Sequence, residues 1–200
     1  GNPVRAEIAA LPGPGERPGN RTGELHLLVI GGSLGAQVLN RVVPEAVARL
    51  PEGLSLQVHH QTGRVEEAAV RERYAALGDA ARAEALIDDM AAAYAWADLV
   101  VCRAGALTIA ELAAAGLPSI LEPYPHATDD HQTGNAGYLA SAGAAILMPQ
   151  PELDAGSLGT ELQRLGGDRG ALLEMASRAR ALARADAAQQ VARLCLEAAA

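Results

Sequence analysis

The chain has no lysine and only two cysteines in 200 residues. All 16 of its basic residues are arginines, against 24 acidic ones, for a formal net charge of −8. An acidic chain with no long arginine run is poorly suited to lie along a nucleic-acid backbone, and no nucleic-acid partner is expected. Arginine in place of lysine, with abundant alanine, is the imprint of a GC-rich genome and bears on no function. Cys102 and Cys195 are far apart and lack metal-ligand spacing, so both read as reduced thiols of a cytoplasmic protein. No apolar run reaches the ~18 residues that a membrane span needs, and no signal-peptide pattern opens the chain. There is no initiating methionine either. The chain opens on "GNPVR" and reads as a piece cut from something longer. What is present is a half-apolar composition, enough for a real core in one or at most two domains.

Short leucine- and valine-rich segments alternate with helical ones. Strands are expected at 25–30, 54–59, 82–87, 98–102, 119–122 and 144–148. Helices are expected at 36–50, 64–77, 90–96, 107–115 and 131–142, with two or three more from Asp154 onward and a break at Gly166-Gly167. That alternation predicts an α/β fold, a Rossmann-like parallel sheet of about six strands with helices on both faces. Residues 11–23, "LPGPGERPGNRTG", read as linker, so 1–23 is set apart from a domain at 24–200.

Ligands of such sheets sit outside the carboxyl ends of the strands. Five of those loops carry polar or glycine-rich material: Gly31–Gly35, His59–Gly63, Ile87–Met90, Arg103–Thr108 with Glu111 just beyond, and 122–136. Gly31-x-Ser33-x-Gly35 fits two chemistries. It matches a nucleophile elbow, with Asp98 and His126 or His131 as partners, but too few residues precede it to supply the oxyanion loop. It also matches a loop whose N–H groups cradle a phosphate at a helix N-terminus. The G-x-G-x-x-G spacing of a dinucleotide site is missing. Asp88-Asp89 lack a third ligand for a metal and read as helix N-terminal acids, so no metal or cofactor is expected. Left to themselves, Arg5 is a solvated arginine, Glu111 a dipole-favoured helix acid, Ile87 a core residue at a strand end and His131 a surface residue at a helix start.

The run "LIDDMAAAYAWADLVVCRAGALTIAELAAAGLP" at 86–118 resembles the MurG family of bacterial peptidoglycan synthesis. "GNPVR" at 1–5, "GGSLGAQVLN" at 31–40, "HQTG" at 60–63 and "HQTGNA" at 131–136 match in family order. The resemblance covers only the C-terminal, donor-binding half of a two-domain GT-B enzyme. It implies an inverting transferase that moves N-acetylglucosamine from UDP to a lipid-linked muramoyl-pentapeptide, in an enzyme lying peripherally on the cytoplasmic side of the inner membrane. Acceptor, membrane contact and catalytic base would belong to the other half. A nucleotide-sugar binding module, or a GT-B transferase with another acceptor, stays open as the alternative.

The resemblance also assigns roles within the UDP-N-acetylglucosamine site. Glu111 would hold the ribose hydroxyls. Ser33, with Gly31, Gly32 and Gly35, would cradle the diphosphate. Ile87 would read uracil through main-chain atoms, and Ala106, Leu107 and Thr108 would make a second nucleotide contact. Arg5 would stand beside the diphosphate. Gln132, with His131 less secure because other members carry Gln-Gln here, would read the sugar hydroxyls.

Overall fold

The computed structural model describes residues 1–16, 23–32 and 34–199. Ser33 and residues 17–22, the middle of the expected linker, lie outside the described residues. Six strands form one sheet: β1 (Leu25–Ile30), β2 (Leu56–Gln61), β3 (Ala81–Glu84), β4 (Leu99–Arg103), β5 (Ser119–Glu122) and β6 (Ala145–Leu147). The order is β3-β2-β1-β4-β5-β6 and every pairing is parallel. The chain winds outward from β1 to β3, then returns to β1's other side and winds out again to β6. The reversal between β1 and β4 is the topological switch point, where such sheets bind ligands.

The helices in chain order are α1 (Ala6–Ala9), α2 (Gln37–Val47), α3 (Glu67–Arg73), α4 (Met90–Trp96), α5 (Ala106–Ala115), α6 (His131–Ala140), α7 (Ala155–Gly166), α8 (Arg169–Ala181) and α9 (Ala187–Ala198). Strand β1 sorts them. Leu25, Leu27 and Val29 point to one face and pack with Leu39, Val43, Val70, Leu158 and Leu162 of α2, α3 and α7. Leu28 and Ile30 point to the other and pack with Ile8, Tyr94, Leu112 and Leu139 of α1, α4, α5 and α6. Being apolar on both faces is what a central parallel strand requires.

Two strand boundaries depart from expectation. Strand β2 was expected over 54–59 but runs from Leu56 to Gln61. Residues 51–54 turn instead, with Leu54 N–H donating to the Pro51 carbonyl. His60 and Gln61 continue the strand because their polar side chains find buried partners, His60 in Asn40 and Tyr74, Gln61 in the Ile87 N–H. Strand β3 stops at Glu84 rather than at Ile87, since the chain must turn to let Asp89 cap α4 through the Ala92 N–H at 2.9 Å. The helix expected over 64–77 is also shorter. It breaks into α3 and a 3₁₀ segment, Ala75–Ala80, kinked at Gly78 with φ of 52°.

Candidate functional site

Helices α2, α5 and α6 follow β1, β4 and β5, three neighbours in the sheet, so their N-termini meet at one edge. Among the described residues none of the three has a side-chain cap: Ala36, Gly105 and Asp130 occupy the N-cap positions without a capping bond. Asp89, Asp154 and Asp168 cap α4, α7 and α8, while α1, α3 and α9 also start without a capping bond. A helix start carries orphan N–H groups and about half a positive charge. Three uncapped starts side the switch point. Orphan N–H groups at such starts can accept negative charge.

The glycine loop crosses the neighbouring loop at backbone contact. Gly35 has φ of +78°, and a Cβ there would lie 2.1 Å from the Thr62 carbonyl oxygen. Gly63, with φ of +76°, would place its own Cβ 2.7 Å from the Leu34 carbonyl. Gly31 is buried, and a Cβ on it would meet the Ala36 nitrogen at 2.5 Å. Gly32 differs: its φ is +80°, yet a Cβ would find nothing within 4 Å. The expected cradle is thereby narrowed. Gly31 N–H already donates to the Gln61 carbonyl at 3.4 Å and Gly35 N–H to Gly32 at 3.0 Å. Gly31 and Gly35 shape the loop, and Gly32 is its open face.

Glu111 was read from its position as a helix acid favoured by the dipole. Because α5 starts at Ala106, it falls in the second turn, with its carboxylate mostly buried. Oε1 takes both Arg5 Nε and Nη2, at 3.1 and 3.0 Å, and Oε2 accepts from Tyr94 O–H at 3.0 Å. Tyr94 is itself buried, and burial together with the Glu111 charge drives its pKa well above the usual range. Two residues assigned separately to the site, Arg5 and Glu111, are thus one ion pair. Ala106 and Leu107 stand exposed at the mouth of α5 and Thr108 is half-buried. Asn2 donates to the Ala106 carbonyl at 3.2 Å, tying the first residues of the chain to this helix start.

After β5 the chain takes a strained path. Asp129 and Asp130 both adopt left-handed φ, 53° and 51°, immediately before α6. Aspartate is among the few residues that tolerate this region, and such outliers cluster where side chains must be aimed. Here they deliver His131 and Gln132. The His131 ring stays exposed, its Nδ1 2.7 Å from the Thr128 carbonyl. Gln132 Oε1 accepts from the Tyr124 N–H at 3.0 Å, so its NH₂ is the end presented outward as a donor. Tyr124 is in turn braced by Arg103, whose guanidinium lies 4.9 Å from the ring centroid. Arg103 also pairs with Glu122, which is fully buried. Burial lifts Glu122 to about 7 despite the arginine, and lifts the Cys102 thiol beside it to about 12. Tyr94, Tyr124 and Arg103 were not foreseen as holders of site residues, since their roles depend on contacts that sequence spacing does not show.

Ile87 is buried, and its N–H donates to Gln61 Oε1 at 3.1 Å. A base read at this position would therefore meet the Ile87 carbonyl or displace Gln61. The hydrolase arrangement is not assembled. Asp98 precedes β4, at the amino end of the sheet, where it accepts from the His26 N–H and pairs with Arg169, both at 3.0 Å. Among the described residues no cluster of three potential metal ligands occurs, and no helix is long and apolar enough to cross a membrane.

Residues 26–191 match the profile of the glycosyltransferase family 28 C-terminal domain. A transferase of Dechloromonas aromatica is 56% identical over 197 residues, and one of Chromohalobacter salexigens 57% over 202. Both are named UDP-N-acetylglucosamine–N-acetylmuramyl-(pentapeptide) pyrophosphoryl-undecaprenol N-acetylglucosamine transferase. They align with 98% and 99% of this chain, which spans 55% and 54% of theirs. The crystal structure of Acinetobacter baumannii MurG superposes with a TM-score of 0.88 at 37% identity, covering 95% of this chain and 55% of that one. By fold and by sequence the chain belongs to glycosyltransferase family 28, as a C-terminal domain of the MurG type.

Proposed function

We propose that this chain is the donor-binding half of a transferase that moves N-acetylglucosamine from UDP-N-acetylglucosamine to a lipid-linked muramoyl-pentapeptide. The observation that carries the reading is the meeting of three uncapped helix starts at the β1–β4 switch point, an edge suited to a diphosphate. The diphosphate lies over Gly32 and Ser33, with Arg5 close by. Uracil sits at Ile87, the ribose at Glu111, and the sugar between the Ala106–Thr108 turn and Gln132, with His131 at its edge. An ionised carboxylate has about four acceptor sites. Arg5 and Tyr94 engage Glu111 through three hydrogen bonds, so a ribose diol must shift Arg5 to bind both hydroxyls.

In the reaction the helix starts stabilise the charge growing on the leaving UDP as the acceptor hydroxyl attacks the anomeric carbon with inversion. The base that takes the hydroxyl proton, the acceptor site and the membrane contact belong to the other half of the enzyme, which places it peripherally at the cytoplasmic face of the inner membrane. Residues 1–23 form the segment that joins the halves. No metal or cofactor is assigned a part. Calorimetric titration of this chain with UDP-N-acetylglucosamine and with UDP-glucose tests the reading. Binding of the first in preference to the second, with no product from radiolabelled donor and lipid-linked acceptor, is the expected outcome. Equal affinity for both, or none for either, would refute the assignment.

A further inference from the structure

Beneath the glycine loop runs a buried polar chain that none of the assigned contacts uses. Asn40 is 1% exposed, His60 0% and Tyr74 2%. Asn40 Nδ2 donates to the Thr62 carbonyl at 2.9 Å and to Glu66 Oε2 at 2.6 Å. Its Oδ1 faces His60 Nε2 at 3.1 Å. With the amide nitrogen committed as donor, Oδ1 accepts, and Nε2 must carry the imidazole proton. Nδ1 is then bare and accepts from the Tyr74 hydroxyl at 3.0 Å. The proton order is fixed along the whole chain: Tyr74 to His60, His60 to Asn40, Asn40 to Thr62. Burial, helped by the neighbouring His59, pushes His60 down to about 3, which keeps the ring neutral, with one donor and one acceptor.

Asn40 is anchored on its main-chain side too. Pro44 lies inside α2 and has no N–H to give the carbonyl four residues back. Arg73 supplies the missing donor, its Nη1 lying 2.8 Å from the Asn40 carbonyl. At the other end the Thr62 carbonyl is the group on which Gly35 rests, with room for no atom between them. Fixing that carbonyl fixes the seat of the loop and the start of α2 together.

We propose that Tyr74, His60 and Asn40 are positioning residues for the diphosphate. They hold the Thr62 carbonyl, and through it Gly35 and the adjoining start of α2, in the geometry that presents N–H groups to an anion, without touching the ligand themselves. The inference rests on the reading that this edge binds UDP. Its test compares UDP with uridine, which shares the base and ribose contacts but lacks the phosphates. Wild-type chain, Tyr74→Phe and His60→Gln are titrated with each ligand by ligand-observed NMR, and their melting temperatures are recorded. Both variants are carried so that poor folding of one leaves the other to decide. The expected result is a loss of about 3- to 10-fold in UDP affinity, the size of one hydrogen bond's worth of order, with uridine affinity unchanged. Equal weakening of UDP and uridine, or unchanged UDP affinity, overturns the positioning role while leaving the donor site intact. A wild-type chain that binds no UDP overturns both.

Discussion

Glu122 and His60 give the protein two buried titrations of opposite sign. Glu122 has no exposed surface, and burial raises its carboxyl from 4.5 to about 7. The folded state therefore holds this proton more tightly than the unfolded chain does. Its stabilising effect is fully present below pH 4.5 and is lost as pH rises through about 7. His60 is lowered from 6.5 to about 3, so its effect is present above 6.5 and is lost as pH falls toward 3. In the overlap, pH 4.5 to 6.5, each group contributes a slope of about 1.4 kcal/mol per pH unit, and the slopes oppose. The wild type should owe almost no net pH dependence to this pair. Glu122→Gln removes one slope and exposes the other. Between pH 7 and 4.5 the variant should lose about 3 kcal/mol more stability than the wild type. At pH 4.5 the wild-type carboxyl is already neutral beside Arg103, as the amide is, so the pH difference, and not the value at pH 7 alone, is the readout. Urea unfolding followed by circular dichroism at the two pH values supplies it. His60→Gln should tilt the curve the opposite way. Parallel pH curves for wild type and Glu122→Gln would show that Glu122 titrates in the folded state where it does in the unfolded chain, and that the argument from burial is wrong.

Glu111→Ala should weaken UDP binding by roughly 1.5–3 kcal/mol and also lower the melting temperature, because it strands the buried Tyr94 hydroxyl. Glu111→Gln keeps an acceptor for Tyr94, so it should melt close to wild type and still lose UDP affinity; unchanged affinity in calorimetry would return Glu111 to a purely structural role. Gly35→Ala should cost about 3 kcal/mol or more, since its Cβ would meet the Thr62 oxygen at 2.1 Å, whereas Gly32→Ala has open space and should cost only the left-handed strain of about 1–2 kcal/mol. Equal melting temperatures for the two would contradict the loop crossing. A maleimide should label Cys195, which is exposed, and spare Cys102, whose thiol burial holds at about 12; peptide mapping after a brief reaction decides this.

The sequence pattern fixed the architecture because the sheet's chemistry is periodic. Leu25–Ile30 is apolar at every position that either face needs, and "GLP" ends α5 with Gly116 in the left-handed conformation that only glycine adopts freely. The misplaced end of β2 has a tertiary cause. His60 and Gln61 look like loop residues by composition, and only tertiary partners make them strand. The site was legible as a set of loops and not as a set of contacts. Glu111 and Arg5 lie 106 positions apart, and no spacing rule joins them. The aspartates before α6 are ambiguous in the same way: "DD" commonly caps a helix, as Asp89 does for α4, yet Asp129 and Asp130 turn left-handed and cap nothing.

Capping and anion binding compete for the same N–H groups. A side-chain cap at α2, α5 or α6 would stabilise its helix by about 1 kcal/mol while filling the orphan N–H groups with a carboxylate or hydroxyl. At the two starts that flank the switch point and at the α6 start beside them this stabilisation is absent among the described residues: an alanine, a glycine and a left-handed aspartate stand where a cap would bond. An anion arriving at the switch point would supply the missing cap. Ligand binding and helix capping are then one interaction, and UDP should raise the melting temperature in proportion to the phosphates it brings: uridine least, UMP more, UDP most. A uridine series whose protection does not grow with phosphate number would mean that these helix starts are merely uncapped.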